Sequence, residues 1–265
     1  MYKEDQIIYK YRMKKSLVHP KFSSKNPKNR RSNKSGRKDI SHDDDSIIYG
    51  LHAVIAALQN PVRNCQKLTV TKNALNEILQ QTEIPQNLEV QEASPDLINK
   101  KLKPGTVHQG ALLNTAPLPE VKLKTVTATG KPIIVLDQVT DPRNIGAIIR
   151  AATVFGAGGL VMTRHNSPAS GGALAKTASG ALEKMPLIRV ANLARCLESL
   201  SEAGYLTCGL DEKGGQWLGD IPRDRPIACV MGAEGKGLRR LTKENCAKLV
   251  RLTASDASSL SLIHI

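Results

Sequence analysis

A chain of 265 residues with an apolar fraction of 40% has room and core material for two modest domains, and aromatics at 3% make that core aliphatic. No run approaches the ~20 apolar residues of a membrane span, no secretory leader is visible, and the five scattered cysteines (Cys65, Cys196, Cys208, Cys229, Cys246) include no CxxC pair. Membrane, disulfide-scaffold and metal-site classes are thereby excluded, which leaves a cytoplasmic protein with buried, reduced thiols and a formal net charge of +14.

Half of that charge sits in residues 1–45, which hold 13 Lys/Arg against 6 Asp/Glu. Lys10 to Lys38 is rich in Lys, Arg, Asn and Ser, lacks periodicity and is expected to be disordered. Such a density of cations points to a polyanion partner, RNA, gripped through its phosphates. The bland alternative is a solubilising extension. Glu4, Asp5 and Asp43 to Asp45 argue against a mitochondrial transit peptide.

At Ile47 the pattern changes. Ile47 to Tyr49 reads as a short strand and Leu51 to Leu58 as an amphipathic helix, ended by Asn60-Pro61. Lys67 to Thr71 reads as a strand, Ala74 to Gln81 as a helix, Leu88 to Val90 as a strand and Pro95 to Leu102 as a helix. Val107 to Leu113 leads into a last strand. Residues 46–114 thus form a small α/β domain. Residues 115–131, with Pro117, Pro119 and repeated threonine, read as a linker.

The second domain, residues 132–265, opens on the stretch around which the chain is organised. Ile133 to Leu136 is short, β-branched and unbroken, as in a buried strand of a parallel sheet. A polar loop runs from Asp137 to Thr140. Asp141 stands where an N-cap belongs and Pro142 where a first helical residue belongs. Ile145, Ile148, Ile149 and Ala152 recur at helical spacing, and Gly156 closes the helix. The loop lies at the carboxyl end of a strand, where open α/β sheets place their ligands. Asn144 sits in the first helical turn, and Arg150 lies roughly 9 Å further along the axis. By themselves these two read equally well as a helix-end amide and a solvated cation.

A strand at Gly159 to Thr163, a polar loop, a helix at Ala173 to Leu182 and a strand at Leu187 to Val190 follow. Asn192 caps a helix carrying Leu193, Cys196, Leu197 and Leu200 on one face, closed by Gly204. Strands follow at Tyr205 to Leu210 and Pro226 to Met231. The alternation predicts a parallel sheet covered on both sides. The last strand runs directly into Gly232-Ala233-Glu234-Gly235-Lys236-Gly237-Leu238. Its spaced glycines permit tight turning and close backbone approach to a ligand. It is not a P-loop, because no Lys-Ser/Thr pair follows, and not a Rossmann fingerprint, because the spacing is G-x-x-G-x-G.

The string D-P-R-N-I-G-A-I-I-R-A-A (Asp141 to Ala152) resembles the first signature of the SpoU/TrmH family, the knotted RNA 2′-O-ribose methyltransferases of SPOUT type. G-A-E-G-K-G-L-R-R (Gly232 to Arg240) resembles the second signature, and K-T-A-S-G-A-L-E (Lys176 to Glu183) a further family segment. I-Y-G-L-H-A-V from Ile48 and V-H-Q-G from Val107 resemble the RNA-substrate-binding domain of the RlmB branch. His52 and His108 read as structural. The third signature departs from the family. Leu252 matches a cofactor-contacting isoleucine and Ser259-Leu260 the family Ser-Leu, one residue early. Ser261 replaces the family asparagine, and no terminal helix precedes Ile265. The expectation is a truncated or altered C-terminus, with the knot incomplete and this chain weakly active or inactive.

The resemblance covers about residues 47–260. It implies a small α/β RNA-binding domain followed by a trefoil-knot-type parallel-sheet domain. It implies an enzyme that transfers a methyl group from S-adenosylmethionine to a ribose 2′-hydroxyl, on a guanosine of 23S ribosomal RNA. The residues carried over are Asn144, Arg150 and Glu234 for catalysis, and Gly232, Leu252 and Leu260 for the cofactor. A guanidinium, with a pKa above about 12, is a poor base. Arg150 is therefore expected to clamp a phosphate and stabilise the developing alkoxide, with Asn144 orienting Arg150 or the ribose. The implied partners are RNA and a second copy, in a homodimer whose interface holds the site; no metal is implied. The alternatives are a transfer-RNA methyltransferase of the same chemistry and a non-catalytic RNA-binding relative, the latter supported by the altered third signature.

Overall fold

The computed structural model describes residues 46–165 and 167–252. The basic tail, Leu260 and the segment on which a knot depends lie outside the described residues.

The first sheet is built from Ile47–Tyr49 (β1), Cys65–Val70 (β2), Glu89–Glu92 (β3) and Ala111–Thr115 (β4), in the order β1-β4-β2-β3. Only β2 and β3 run parallel; the other neighbours are antiparallel. Three helices connect these strands, Leu51–Gln59 (α1), Lys72–Gln81 (α2) and Pro95–Asn99 (α3). Thr71 caps α2 by accepting from the Ala74 N–H. Gly50, ahead of α1, has no side chain to do this; Gln109 Oε1 accepts from Leu51 N at 3.2 Å instead. Gln109 reaches that position with a left-handed backbone, φ 52°. The sequence pattern extends α3 to Leu102, but the chain tightens there. Lys101 N and Leu102 N donate three residues back, to Ile98 O and Asn99 O.

After a short helix at Leu123–Thr127 (α4), the second sheet begins. Its elements are Ile133–Asp137 (β5), Pro142–Val154 (α5), Gly159–Thr163 (β6), Gly172–Ala178 (α6), Leu187–Val190 (β7), Leu193–Glu202 (α7), Leu206–Leu210 (β8), Gln216–Trp217 (β9), Ile227–Gly232 (β10), Arg240–Glu244 (α8) and Lys248–Arg251 (β11). All pairings are parallel, in the order β7-β6-β5-β10-β8-β11-β9. The chain moves outward from β5 to β7, then crosses to the other half of the sheet. The strand order therefore reverses between β5 and β10.

Side chains alternate across this sheet. Leu136, Leu160 and Met162 pack with Ile145, Ile149 and Leu174 of α5 and α6 on one face. Ile133, Val135 and Val161 pack with Leu193, Leu197 and Leu200 of α7 on the other. Covered on both faces, the sheet is the parallel one that the alternation predicts. The helix expected over 173–182 is broken. Ser179 (φ 49°) and Gly180 (φ 86°) are left-handed, and the chain restarts as a 3-10 turn at Ala181–Glu183.

That break serves a junction. The first apolar cluster continues from α5 and α6 into the smaller sheet, taking in Ile48, Val54 and Leu58. A Cβ on Gly180 would stand 2.8 Å from the Cβ of Ala56 in α1. The turn after Gly180 aims Glu183 at Arg63, and the two pair at 2.5 Å with side chains 4% and 0% exposed. Asn60 Nδ2 donates to the same carboxylate at 2.8 Å. Lys176 of α6 donates to Val107 O on the other side of the junction.

Candidate active site

β5 and β10 end together, Gly232 opposite Asp137, at the point where the strand order reverses. Open α/β sheets leave a crevice there. Beyond β5, Gln138 turns the chain with a left-handed φ of 59°. Asp141 Oδ1 then accepts from Arg143 N at 2.8 Å, and Pro142 starts α5. Asn144 follows in the first turn, half-buried.

Beyond β10, the glycine loop folds on itself. Gly237 N donates to Ala233 O at 2.8 Å, and Gly235 and Gly237 are left-handed. A Cβ on Gly232 would lie 2.1 Å from the carbonyl carbon of Gly237. The missing side chain at Gly232 thus makes room for the loop's own backbone. At Gly235 and Gly237 a Cβ would meet nothing within 4 Å, so bare backbone faces open space there.

Two contacts stitch the loop to the β5–α5 unit. At its base, Asp137 accepts from Arg239 N at 2.9 Å and from Arg239 Nε at 2.7 Å. At its tip, Asn144 Nδ2 donates to Glu234 Oε2 at 3.1 Å. Two of the three expected catalytic residues therefore meet. Arg150 does not join them. It lies about 120° round the helix from Asn144, is exposed, and forms no hydrogen bond or ion pair among the described residues. The amide expected to orient Arg150 is engaged by Glu234 instead.

Leu252 follows β11 and is half-buried. β11 neighbours β8, which neighbours β10, so Leu252 and Gly232 stand at carboxyl ends on one edge. Sequence reasoning passed over the loop between β8 and β9. Asp211 N donates to Val250 O at 2.9 Å, and Gly214 packs so tightly on β11 that a Cβ would lie 2.5 Å from the carbonyl carbon of Val250. The Gly214-Gly215 pair is the signal that could have found it. Lys243 hydrogen-bonds Asp211 and holds its carboxyl below the usual range. The Arg251 guanidinium lies 4.1 Å from the Trp217 ring centroid. The ends of β10, β8 and β11, with open backbone at Gly215, Gly235 and Gly237 and Leu252 as an apolar wall, fit an extended, partly apolar ligand held by backbone groups. Among the described residues, no three His, Cys, Asp or Glu side chains are grouped to hold a metal ion.

The profile of the SpoU rRNA Methylase family matches residues 131–263, and that of RNA 2′-O ribose methyltransferase substrate binding matches residues 47–121. The 23S rRNA (guanosine-2′-O-)-methyltransferase RlmB of Vibrio cholerae is 34% identical over 235 residues, covering 82% of this chain and 92% of that protein. An uncharacterised tRNA/rRNA methyltransferase of Synechocystis is 32% identical over 237 residues, which cover 83% of this chain and 62% of the relative's length. The crystal structure of the SpoU methyltransferase AviRb from Streptomyces viridochromogenes, in complex with AdoMet, superposes with a TM-score of 0.67 at 22% identity. It covers 82% of this chain and 84% of that one.

Proposed function

Because the chain belongs to the SpoU family of RNA 2′-O-ribose methyltransferases, we propose that it methylates the ribose 2′-hydroxyl of a guanosine in 23S ribosomal RNA. The observation that carries the reading is the meeting of Asn144 and Glu234 across the switch point. The substrate-binding half present in the same chain supports an RNA target, and the likeness to 23S rRNA methyltransferases supports a ribosomal one. S-adenosylmethionine is the methyl donor and supplies an electrophilic methyl group when bound. The loop backbone from Gly232 to Gly237 and the side chain of Leu252 would hold it; Leu260, the other residue expected at the cofactor, lies outside the described residues.

Glu234 has one oxygen fixed by Asn144 and the other without a described partner. That second oxygen would accept from the 2′-hydroxyl, align it for in-line attack and take up the proton that the hydroxyl loses. Arg150 binds the neighbouring phosphate and stabilises the alkoxide as it forms. Standing away from Asn144 and Glu234 of its own chain, Arg150 serves the site of a second copy. α5 presents Ala147, Arg150 and Ala151 to solvent, and Val154 and Phe155 beside them are 81% and 84% exposed. An apolar stripe of that kind supports a homodimer built on α5. The four-stranded unit binds RNA, and the enzyme works in the cytoplasm.

The test is transfer of a labelled methyl group to ribosomal RNA from a strain lacking the gene, with mapping of the modified nucleotide. Label at one 23S guanosine is the expected result. Label in transfer RNA alone would replace the target, and binding of RNA and cofactor without transfer would make the chain a non-catalytic relative.

A further inference from the structure

We propose that Arg239 is a phosphate-binding residue for the RNA strand, held in aim by the buried carboxylate of Asp137. The inference deepens the reading of the chain as an RNA methyltransferase and rests on it. Asp137 is wholly buried, whereas the Arg239 side chain is 48% exposed. The contact consumes the backbone N–H and Nε of Arg239. Both terminal nitrogens, with four N–H donors, have no partner among the described residues. An arginine serving only as a brace would bury that fork against its carboxylate; this one presents it to solvent.

The guanidinium is bound where β5 ends, beside Gly232, and so at the crevice that holds Asn144 and Glu234. A planar fork suits the oxygens of a phosphodiester. One edge is already fixed, so little side-chain freedom is lost on binding. The adjacent Arg240 differs. Its head is occupied by Glu244 at 2.7 Å in an exposed i,i+4 pair, and it lacks a buried anchor. The shared chemistry is an oxyanion, and the other source is the carboxylate of the methyl donor.

Arg239→Gln keeps a donor for Asp137 and removes the charged fork. Titrations of the full chain with a labelled single-stranded RNA and, separately, with S-adenosylmethionine distinguish the sources. We expect RNA affinity to fall roughly tenfold or more and the log–log salt slope to flatten by about 0.7, with cofactor affinity within about threefold of the parent. Arg239→Lys should restore the slope but not the affinity. It decides the matter if the glutamine variant does not fold, since parent-like RNA affinity with lysine would overturn the proposal. So would an unchanged affinity and slope with glutamine, or a cofactor affinity that falls in step with that for RNA. A parent chain that binds no RNA would sink the methyltransferase reading as well.

Discussion

Glu234 accepts from Asn144 across a loop that closes on itself, so its carboxylate is held in place before any substrate arrives. Preorganisation of this kind is where catalytic rate is found. Glu234→Gln, nearly isosteric, should cut methyl transfer by about 10²-fold or more, and Arg150→Ala should abolish it. Cofactor affinity, measured by calorimetry, should stay within a few-fold in both. Equal rates for parent and variants would remove these residues from the site. His108 is fixed differently. Gly110 N donates to its Nδ1 at 3.0 Å, and Nε2 lies 3.1 Å from Asn99 Oδ1, which assigns the neutral ring with its proton on Nε2. Burial, with Lys176 nearby, holds its pKa below the ordinary 6.5. The unfolded chain then binds the proton more readily than the folded one. Its contribution to stability is complete above pH 6.5 and is lost as pH falls towards the folded value. Melting temperatures of the parent should drop across that window more steeply than those of His108→Gln; parallel curves would refute the assignment. The thiols behave as burial dictates. Cys196 is pushed up to about 11, so alkylation of the folded chain at neutral pH should be slow and should accelerate on unfolding.

At the scale of elements, caps written locally were legible. Asp141 accepts from Arg143 N and Asn192 from Arg195 N, as their places ahead of apolar repeats predicted. The loop glycines and the strand that feeds them were legible for the same reason. What escaped was written elsewhere in the chain. The pattern from Ala173 to Leu182 is helical, and nothing near it says that Gly180 must clear Ala56 or that Glu183 must turn towards Arg63, 120 residues away. Asp137 looked like the start of a loop because its partner Arg239 is 102 residues on. β9 has two residues and α8 five, too few for any periodicity to register. The break at Gly180 makes its own prediction. Gly180→Ala puts a Cβ on a left-handed residue and against Ala56, and should cost about 1–3 kcal/mol. A Tm equal to that of the parent would show that α6 can run on without harm.

For the whole molecule, the junction between the two sheets matters most. Arg63 and Glu183 form a buried pair that also engages Asn60 and the carbonyl of Ala116. Removing one partner of such a pair leaves an uncompensated charge and costs about 3–5 kcal/mol. Arg63→Ala should lower Tm by several degrees. Because an apolar cluster spans both sheets, the parent should melt in one transition and the variant in two. A single transition in Arg63→Ala, at the parent's temperature, would show that the apolar contact alone joins the halves. The smaller sheet is thus tied to the larger one by both apolar and ionic contacts.

Trp217 is the one tryptophan of the chain, beside five tyrosines. It stacks on Arg251, the residue before Leu252, at the edge of the larger sheet. Red-edge excitation therefore reports on a single spot, the strand end beside Leu252. A ligand seated against Leu252 is expected to shift the neighbouring cation on the indole, and the emission with it. The chain carries its own optical gauge of occupancy: titration with S-adenosylmethionine should follow one saturable change in fluorescence, absent from Trp217→Phe, with no label attached.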